Sequence, residues 1–418
     1  MRLKLNCRTH DGKAEVWHYD NVTNTIWDGT GAEVDLSKDE RLQAYLSGGF
    51  QDSAERYAAN KGKQICTLRI QLGLKCNMHC RYCAQEHDKD REGWVSSPKD
   101  VPGFVEKLKA SGIEVSGAIQ LWGGEPFVYW KTLLRLIPEL RDMYPKAAIC
   151  MISNGTLLTE EKINFLAKHG CSLTLSHDAQ GYRLRGPDPL DNPQTVDLWR
   201  LAVQKLNANI NCVLSPANTD IDAIAAFFKE KLGDVRLYFE GVMTHCGVQD
   251  KELMFTEEGL LNLQRSVFYA LTRENWGKFP ALKDQASALL RALAQRRSLP
   301  LKAGKCQMMC RDNMAITMNG DVLSCHDYSN PEAYVGRIEA LDKVDISKHF
   351  KPWSAREKCR KCLVLGLCRG ACPQIEGLAR TLTCKNEFAY AFAIFQAVFW
   401  LLFGLTLVSF EAVDGEAT

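Results

Sequence analysis

Three cysteines in the run GLKCNMHCRYC, namely Cys76, Cys80 and Cys83, are spaced C-x3-C-x2-C. Three thiolates on one short loop suit a [4Fe–4S] cluster, because each iron takes a soft ligand and the fourth iron is left open. An iron with an open position can bind a small molecule, so the spacing implies chemistry as well as structure. It does not suit structural zinc, which takes four ligands in two close pairs. The bland alternative is chance, since the chain has 17 cysteines among its 418 residues.

That cysteine count bounds the setting. The N-terminus, MRLKLNCRTHDGK, has no apolar h-region, so the expectation is a cytoplasmic protein whose cysteines serve as metal ligands in place of disulfides. Eight of them crowd into positions 306 to 384 at short, uneven spacings. A formal charge of +2 leaves no electrostatic footprint for nucleic acid. The length allows one large domain and a smaller one.

The elements that must position the cysteine loop are readable from periodicity. RLKLNCRT, AEVWHYD and NTIWDG alternate apolar and polar residues between turn signals, and a polar, helix-compatible stretch runs from Lys38 to Lys63. From Cys66 onward, strands predicted at 66–73, 117–123, 147–153, 171–176, 208–214 and 234–240 alternate with helix-period segments. Further helical segments cover 256–274 and 280–298. This pattern predicts an α/β fold with a parallel sheet, most simply a partial (β/α)6 barrel, with an N-terminal β-rich segment and a C-terminal Cys-rich domain. The expected division is 1–63, 64–300, 301–387, and 388–418 as an apolar helix with an acidic tail. Chemistry in such folds collects at the C-terminal ends of the strands, where the Cys76–Cys83 loop falls.

Other motifs lie at the same ends. Gly123, Gly124, Glu125 and Pro126 follow the second strand; adjacent glycines permit close backbone approach, and Glu125 offers an acceptor for an ammonium group. Ser153 and Asn154 end the third strand, where an N-cap or turn is the plain alternative. After the fourth come Ser176, His177, Asp178, Ala179, Arg183 and Arg185, and at the end of the sixth stands Glu240, with His245 and Cys246 beyond it. Asp178 is a candidate proton acceptor, against a solvated polar loop as the alternative. Glu240 and Cys246 are candidates on the substrate side, although a lone thiol or histidine is more often structural. Cys66, Cys150, Cys171 and Cys212 fall on strands and read as small core hydrophobes.

Together these features resemble the radical S-adenosylmethionine (SAM) enzymes over roughly residues 66 to 385. The resemblance implies that Cys76, Cys80 and Cys83 hold a [4Fe–4S] cluster whose free iron chelates SAM, with Tyr82 the aromatic that precedes the last cysteine. It implies reductive cleavage of SAM to a 5′-deoxyadenosyl radical, which abstracts a substrate hydrogen, and an electron donor such as flavodoxin or ferredoxin. By the same resemblance Gly123, Gly124, Glu125 and Pro126 contact the SAM amino group, and Ser153 and Asn154 the ribose. Ser176, Asp178 and Arg183 or Arg185 are similar to a further SAM- or substrate-contacting group, although Ala179 stands where relatives carry glycine.

The tail adds a second resemblance. Cys310 and Cys325 bracket Gly320 as C-x9-G-x4-C, and Cys359, Cys362, Cys368 and Cys372 follow as C-x2-C-x5-C-x3-C, then Cys384. This is similar to the SPASM extension of the radical SAM family, which implies two auxiliary [4Fe–4S] clusters. The implied ligands are Cys306, Cys310, Cys325 and Cys372 for the first, and Cys359, Cys362, Cys368 and Cys384 for the second. The gap from Cys306 to Cys310 is short, and without Cys306 the first cluster has an open iron. A four-Cys zinc knuckle is the competing reading of 359–372.

Phe388 to Phe410 carries no charged residue for 23 positions, long enough to span a bilayer. Arg380 and Lys385 precede it, and Glu411, Asp414 and Glu416 follow, consistent with a cytoplasmic body and membrane association. The alternative is a closing helix packed against the barrel.

Three functions follow. SPASM relatives modify peptides or proteins by crosslinking, epimerisation or oxidation, so maturation of a peptide or protein stands first. The second is rearrangement of a nucleobase substituent in DNA, RNA or a nucleotide, with Trp17, Tyr19 and Trp27 as stacking aromatics. The third is an iron–sulfur electron-transfer protein without SAM chemistry.

Overall fold

Alternating apolar side chains bury Leu3, Leu5 and Cys7 on one face of β1 (Arg2–Arg8) and Trp17 and Tyr19 on the matching face of β2 (Ala14–Asp20). The computed structural model describes residues 1–42, 54–57, 60–87, 95–241, 250–272, 278–327 and 331–413. β1 and β2 form an antiparallel hairpin, β3 (Ile26–Trp27) adds to β2, and β13 (Thr406–Ala412) pairs with the free edge of β1. The order of this four-stranded sheet is therefore β13-β1-β2-β3. Only short turns, Glu40–Leu42 and Ala54–Arg56, are described in the stretch expected to be helix-compatible.

The larger sheet is built from β4 (Gln64–Gln71), β5 (Glu114–Trp122), β6 (Ala148–Ser153), β7 (Cys171–Ser176), β8 (Asn209–Leu214) and β9 (Leu237–Gly241). They are parallel and lie side by side in chain order. Parallel neighbours need crossovers, and amphipathic helices supply them. The helix Trp130–Met143, for example, buries Leu133, Leu136, Ile137 and Leu140 on one stripe. Ends are set by local chemistry: Thr159 caps Glu160–Lys168 by accepting from Lys162 N, and Asp220 caps Ile221–Leu232 from Ala223 N. β7 coincides with its predicted span, whereas β9 begins at Leu237, after a turn at Gly233 with φ of 82°.

The Cys-rich stretch does not stand apart from this sheet. β10 (Asn313–Thr317) runs parallel to β4, and β11 (Asp321–Leu323) and β12 (Tyr334–Arg337) continue antiparallel to it. The result is an open nine-stranded sheet with β12 and β9 at its edges. Gly320, with φ of 92°, makes the turn between β10 and β11. The α/β class is as expected, with the six parallel strands extended by the tail and not closed.

The apolar C-terminal stretch is not one helix. The helix spans Gly377–Phe403, ends on Gly404 in the left-handed conformation, and gives way to β13. The expected division between 1–63 and 388–418 is thus crossed by a shared sheet. Ala393, Ile394, Phe395, Ala397, Val398 and Phe399 are buried, and Phe395 packs against Tyr19 and Phe399 with ring centroids 5.3 Å from each. Trp17 meets Phe399 and Phe403 in the same way. Length and composition would suit a bilayer, but this helix is the packing layer between the N-terminal sheet and the helices Glu257–Leu271 and Pro280–Ala294. Phe395→Ala should cost about 3–5 kcal/mol of folding free energy, measured by denaturant unfolding in detergent-free buffer; a loss below about 1 kcal/mol would contradict this packing.

Candidate active site

A cavity of about 270 Å³ lies at the C-terminal ends of the parallel strands, lined by Cys76, Cys80 and Cys83. The loop that carries them is held by backbone contacts. Gly124 N donates to Gly73 O at 3.1 Å, and Glu125 N to Lys75 O at 3.0 Å. A Cβ on Gly123 would stand 2.5 Å from Gly73 O, and one on Gly124 would stand 2.3 Å from Leu74 O and 2.4 Å from Lys75 O. The two glycines are therefore required by the chain's own loop, which uses the close approach that the sequence reading reserved for a ligand. Lys75 N also donates to Tyr129 Oη at 2.8 Å, and Arg81 N to Leu184 O at 2.9 Å.

Glu125 is almost wholly buried and accepts from Phe127 N at 3.0 Å, Ser153 Oγ at 2.7 Å and Asn154 N at 2.8 Å. Burial raises its pKa, while the donors at Asn154, Phe127 and Ser153 pull it down. A carboxylate has about four acceptor positions, so one remains for a cationic group in the cavity. Asn154 in turn donates to Asn77 Oδ1 at 3.0 Å, tying the end of β6 to the cysteine loop. Ser153 and Asn154 face the cavity and also hold this framework. Pro126 opens the short helix Pro126–Tyr129 and is buried away from the cavity lining.

Tyr82, Asp178 and Arg185 form one group. Tyr82 Oη donates to Asp178 Oδ2, and Arg185 Nη1 lies 2.9 Å from Tyr82 Oη and 3.4 Å from Asp178 Oδ1. Asp178 also accepts from Val213 N at 2.9 Å and is only 1 % exposed. It does not line the cavity, so the carboxylate expected to accept a proton instead orients Arg185 and Tyr82, which do line it. Burial opposes the charge on Arg185, yet Tyr82, Asp178 and Cys80 hold its pKa well above the ordinary value. Its Nε is buried with no partner among the described residues. Burial pushes the Cys80 thiol up to about 11, against the pull of Arg185. Arg183, the other arginine named from sequence, points to the surface and pairs with Glu252.

Ala179 has φ of 47°, in the region that favours glycine, and its N–H donates to His177 Nδ1 at 3.0 Å. His177 Nε2 therefore donates to Asp188 Oδ1 at 2.8 Å. This buried imidazole belongs to the wall behind the site.

Ser176 and Glu240 complete the far side of the cavity with Asn211 and Val213. Glu240 is itself exposed on the cavity, where the surrounding protein raises its pKa by desolvation, with Asp327 and Glu387 adding to the rise and Asn211 and Lys305 opposing it. Cys246 and His245 lie outside the described residues. Among the lining residues not named from sequence are the polar or aromatic Gln85, Trp122, His326 and Asp327. Trp122 Nε1 and His326 Nδ1 are buried without partners among the described residues, and their rings meet edge to face at 4.5 Å. The position of His326 next to Cys325 was the available signal.

The tail cysteines gather in two places. Cys359, Cys362, Cys368 and Cys384 line one cavity of about 860 Å³. Cys306, Cys325 and Cys372 lie near enough to raise one another's pKa, after burial as the main cause. Cys310 follows Cys306 by a single turn, with its N–H donating to Gln307 O at 2.9 Å. Among the described residues no three His, Cys, Asp or Glu side chains converge on a point as a single metal ion would require. Cys76, Cys80 and Cys83 line one cavity with Arg185, whose Nε has no partner among the described residues, and three thiols on one loop fit a cluster with SAM beside it.

Residues 70–185 match the model of the radical SAM superfamily. The radical SAM cyclopropyl synthase TigE of Paramaledivibacter caminithermalis is 28% identical over 352 residues, covering 74% of this chain and 68% of that protein. A serine-type anaerobic sulfatase-maturating enzyme of Klebsiella aerogenes is 22% identical over 335 residues, covering 72% and 78%. Among solved structures, native anSMEcpe with bound AdoMet superposes with a TM-score of 0.62 at 19% identity, over 81% of this chain and 98% of that one. Residues 70–185 are thus a radical SAM domain, and its homologues, which include the SPASM-type sulfatase-maturating enzymes, are those of an enzyme with SAM and a [4Fe–4S] cluster as cofactors. Gly124→Ala should displace the cysteine loop and lower 5′-deoxyadenosine formation about 10²-fold, read by chromatography after reduction with dithionite; an unchanged yield would mean that the loop tolerates a shift.

Proposed function

We propose that this chain modifies a peptide or protein substrate by radical chemistry at the cavity between the parallel sheet and the Cys-rich tail. One observation carries the reading: the three thiols of the cysteine loop and the tail residues His326 and Asp327 line the same cavity. A relative matched over 72% of this chain is named for sulfatase maturation, which supports a polypeptide substrate.

When bound, the cluster and SAM supply the 5′-deoxyadenosyl radical that removes a substrate hydrogen. Cys76, Cys80 and Cys83 hold the cluster, Glu125 accepts from the SAM amino group, and Arg185 offers its free Nε–H to an anionic or carbonyl oxygen. Gly123, Gly124 and Asp178 position these groups from behind, and Ser153, Asn154 and Ser176 line the ribose side. Trp122 Nε1–H and His326 Nδ1 are open to polar groups of the substrate backbone. Glu240 is the candidate proton acceptor. Two further clusters take Cys306, Cys310, Cys325 and Cys372, and Cys359, Cys362, Cys368 and Cys384; a flavodoxin or ferredoxin type of donor feeds them. No disulfide joins the described cysteines, which suits a reducing, cytoplasmic setting.

Incubating the anaerobically reconstituted protein with SAM, dithionite and peptides encoded beside its gene should yield 5′-deoxyadenosine and a mass change in one peptide. A nucleotide product with every peptide unchanged would overturn the proposal. Reconstitution should give about twelve irons per chain, and a count near four would remove both tail clusters. Cys80→Ala should abolish SAM cleavage, read as 5′-deoxyadenosine. With its pKa raised, Glu240 stays protonated to higher pH than an ordinary carboxyl. Turnover should therefore fall as pH drops through that raised value, and Glu240→Gln should remove this limb of the profile together with most of the activity, while SAM cleavage persists.

A further inference from the structure

Two cations lie inside the protein where the tail meets the parallel sheet. Lys61 is 4 % exposed, and its Nζ donates to three backbone carbonyls: Met308 at 2.7 Å, Cys310 at 2.8 Å and Asn313 at 2.7 Å. Three acceptors around one amine match the three protons of an ammonium, although burial pulls its pKa down to about 7 against the charges of Cys310 and Cys306. Arg69, on β4, is 8 % exposed; its Nη2 donates to Gln307 Oε1 at 3.1 Å, and its Nη1 lies 3.7 Å from Met308 Sδ. Among the described residues neither cation has a carboxylate within salt-bridge distance. The carboxylate nearest in charge to Lys61, Asp312, is held by Arg56 at 3.2 Å.

Carbonyl dipoles satisfy hydrogen bonds, but they do not neutralise a buried charge. Two such cations without counter-ions would be costly to bury. The charges that face them are mainly thiols, with the Asp327 carboxylate also acting on Arg69. Cys310 and Cys306 act on Lys61, and Cys306 and Cys325 act on Arg69. The carbonyls gripped by Lys61 and the side chains touched by Arg69 both belong to 307–313, the segment that contains Cys310 and directly follows Cys306. A thiolate-ligated [4Fe–4S] cluster there would be dianionic when oxidised and trianionic when reduced, and would balance both charges.

We propose that Lys61 and Arg69 are the compensating charges of the auxiliary cluster held by Cys306, Cys310, Cys325 and Cys372, and that they raise its reduction potential. The inference rests on the auxiliary-cluster reading above and adds residues from outside the Cys-rich tail. Positive charge beside the cluster favours the reduced, more negative state, so removing either cation moves the midpoint to lower potential. Lys61 also shapes the loop through its three carbonyls, whereas Arg69 touches it through two side chains, which makes Arg69 the cleaner probe.

The test uses the full chain with Cys76→Ala, Cys80→Ala and Cys83→Ala, so that only tail clusters remain. It is reconstituted anaerobically, assayed for iron, and titrated by EPR against potential. The parent should hold about eight irons and show two midpoints. Arg69→Met should lower one midpoint, or lose that cluster, and leave the other midpoint in place. Arg69→Lys, which keeps the charge, should retain both iron and midpoint. Lys61→Met should act on the same midpoint as Arg69→Met. If the Met and Lys variants at position 69 behave alike, or if the two sites act on different midpoints, the inference is wrong while the clusters stand. A parent with no iron would instead overturn the auxiliary-cluster reading itself.

Discussion

The buried carboxylate of Glu125 joins the C-terminal ends of three neighbouring strands, and the cavity depends on that junction. Its backbone N–H reaches Lys75 beyond β4, its own chain leaves β5, and its side chain takes donors from Ser153 and Asn154 at the end of β6. These contacts are made in an interior where an unpaired carboxylate would be costly, so they act together or not at all. The glycines before it let the cysteine loop lie flat on β5, since any Cβ there would meet carbonyl oxygen below 2.6 Å. Geometry at the thiols is thereby inherited from the sheet, which is the most rigid part of the fold.

A second constraint turns the cavity into a place between two structures. β10 pairs with β4, the strand that feeds the cysteine loop, so the tail cannot move without dragging the central sheet. That pairing brings His326 and Asp327 opposite Tyr82 and Arg185, and it buries Arg69 beneath the tail's first cysteines. Parallel sheet and tail are consequently one mechanical unit, and distances between the cysteine groups are fixed by strand register.

Much of this was legible in the sequence because chemistry and spacing coincide. The C-x3-C-x2-C run, the six strands and the glycine between Cys310 and Cys325 are local patterns, and each survives as a local structure. What escaped is long-range. Asp178 reads as a free carboxylate from sequence, but its acceptors are taken by Arg185, Tyr82 and Val213 N, two of them from other elements. Arg183 and Arg185 are equivalent in the sequence and differ only in which side of a short helix faces inward. Trp122 and His326 stand 204 positions apart and become a pair only through the sheet. The apolar run from Phe388 is ambiguous by composition, and the break at Gly404 decides it by letting a strand follow the helix.

That terminal strand has a consequence for how the chain is made. Lys4 and Glu411, bonded across β1 and β13, are separated by 407 residues. At a synthesis rate of about 5–20 residues per second, β1 waits about 20–80 s for its outer partner. Throughout that wait its edge presents unpaired backbone groups, the usual template for misassociation. The helix that carries Cys384 is made just before β13, so it packs against the N-terminal sheet only when that sheet can be completed. Birth of the protein therefore ends where it began: the strand made among the first can be covered only by one made among the last.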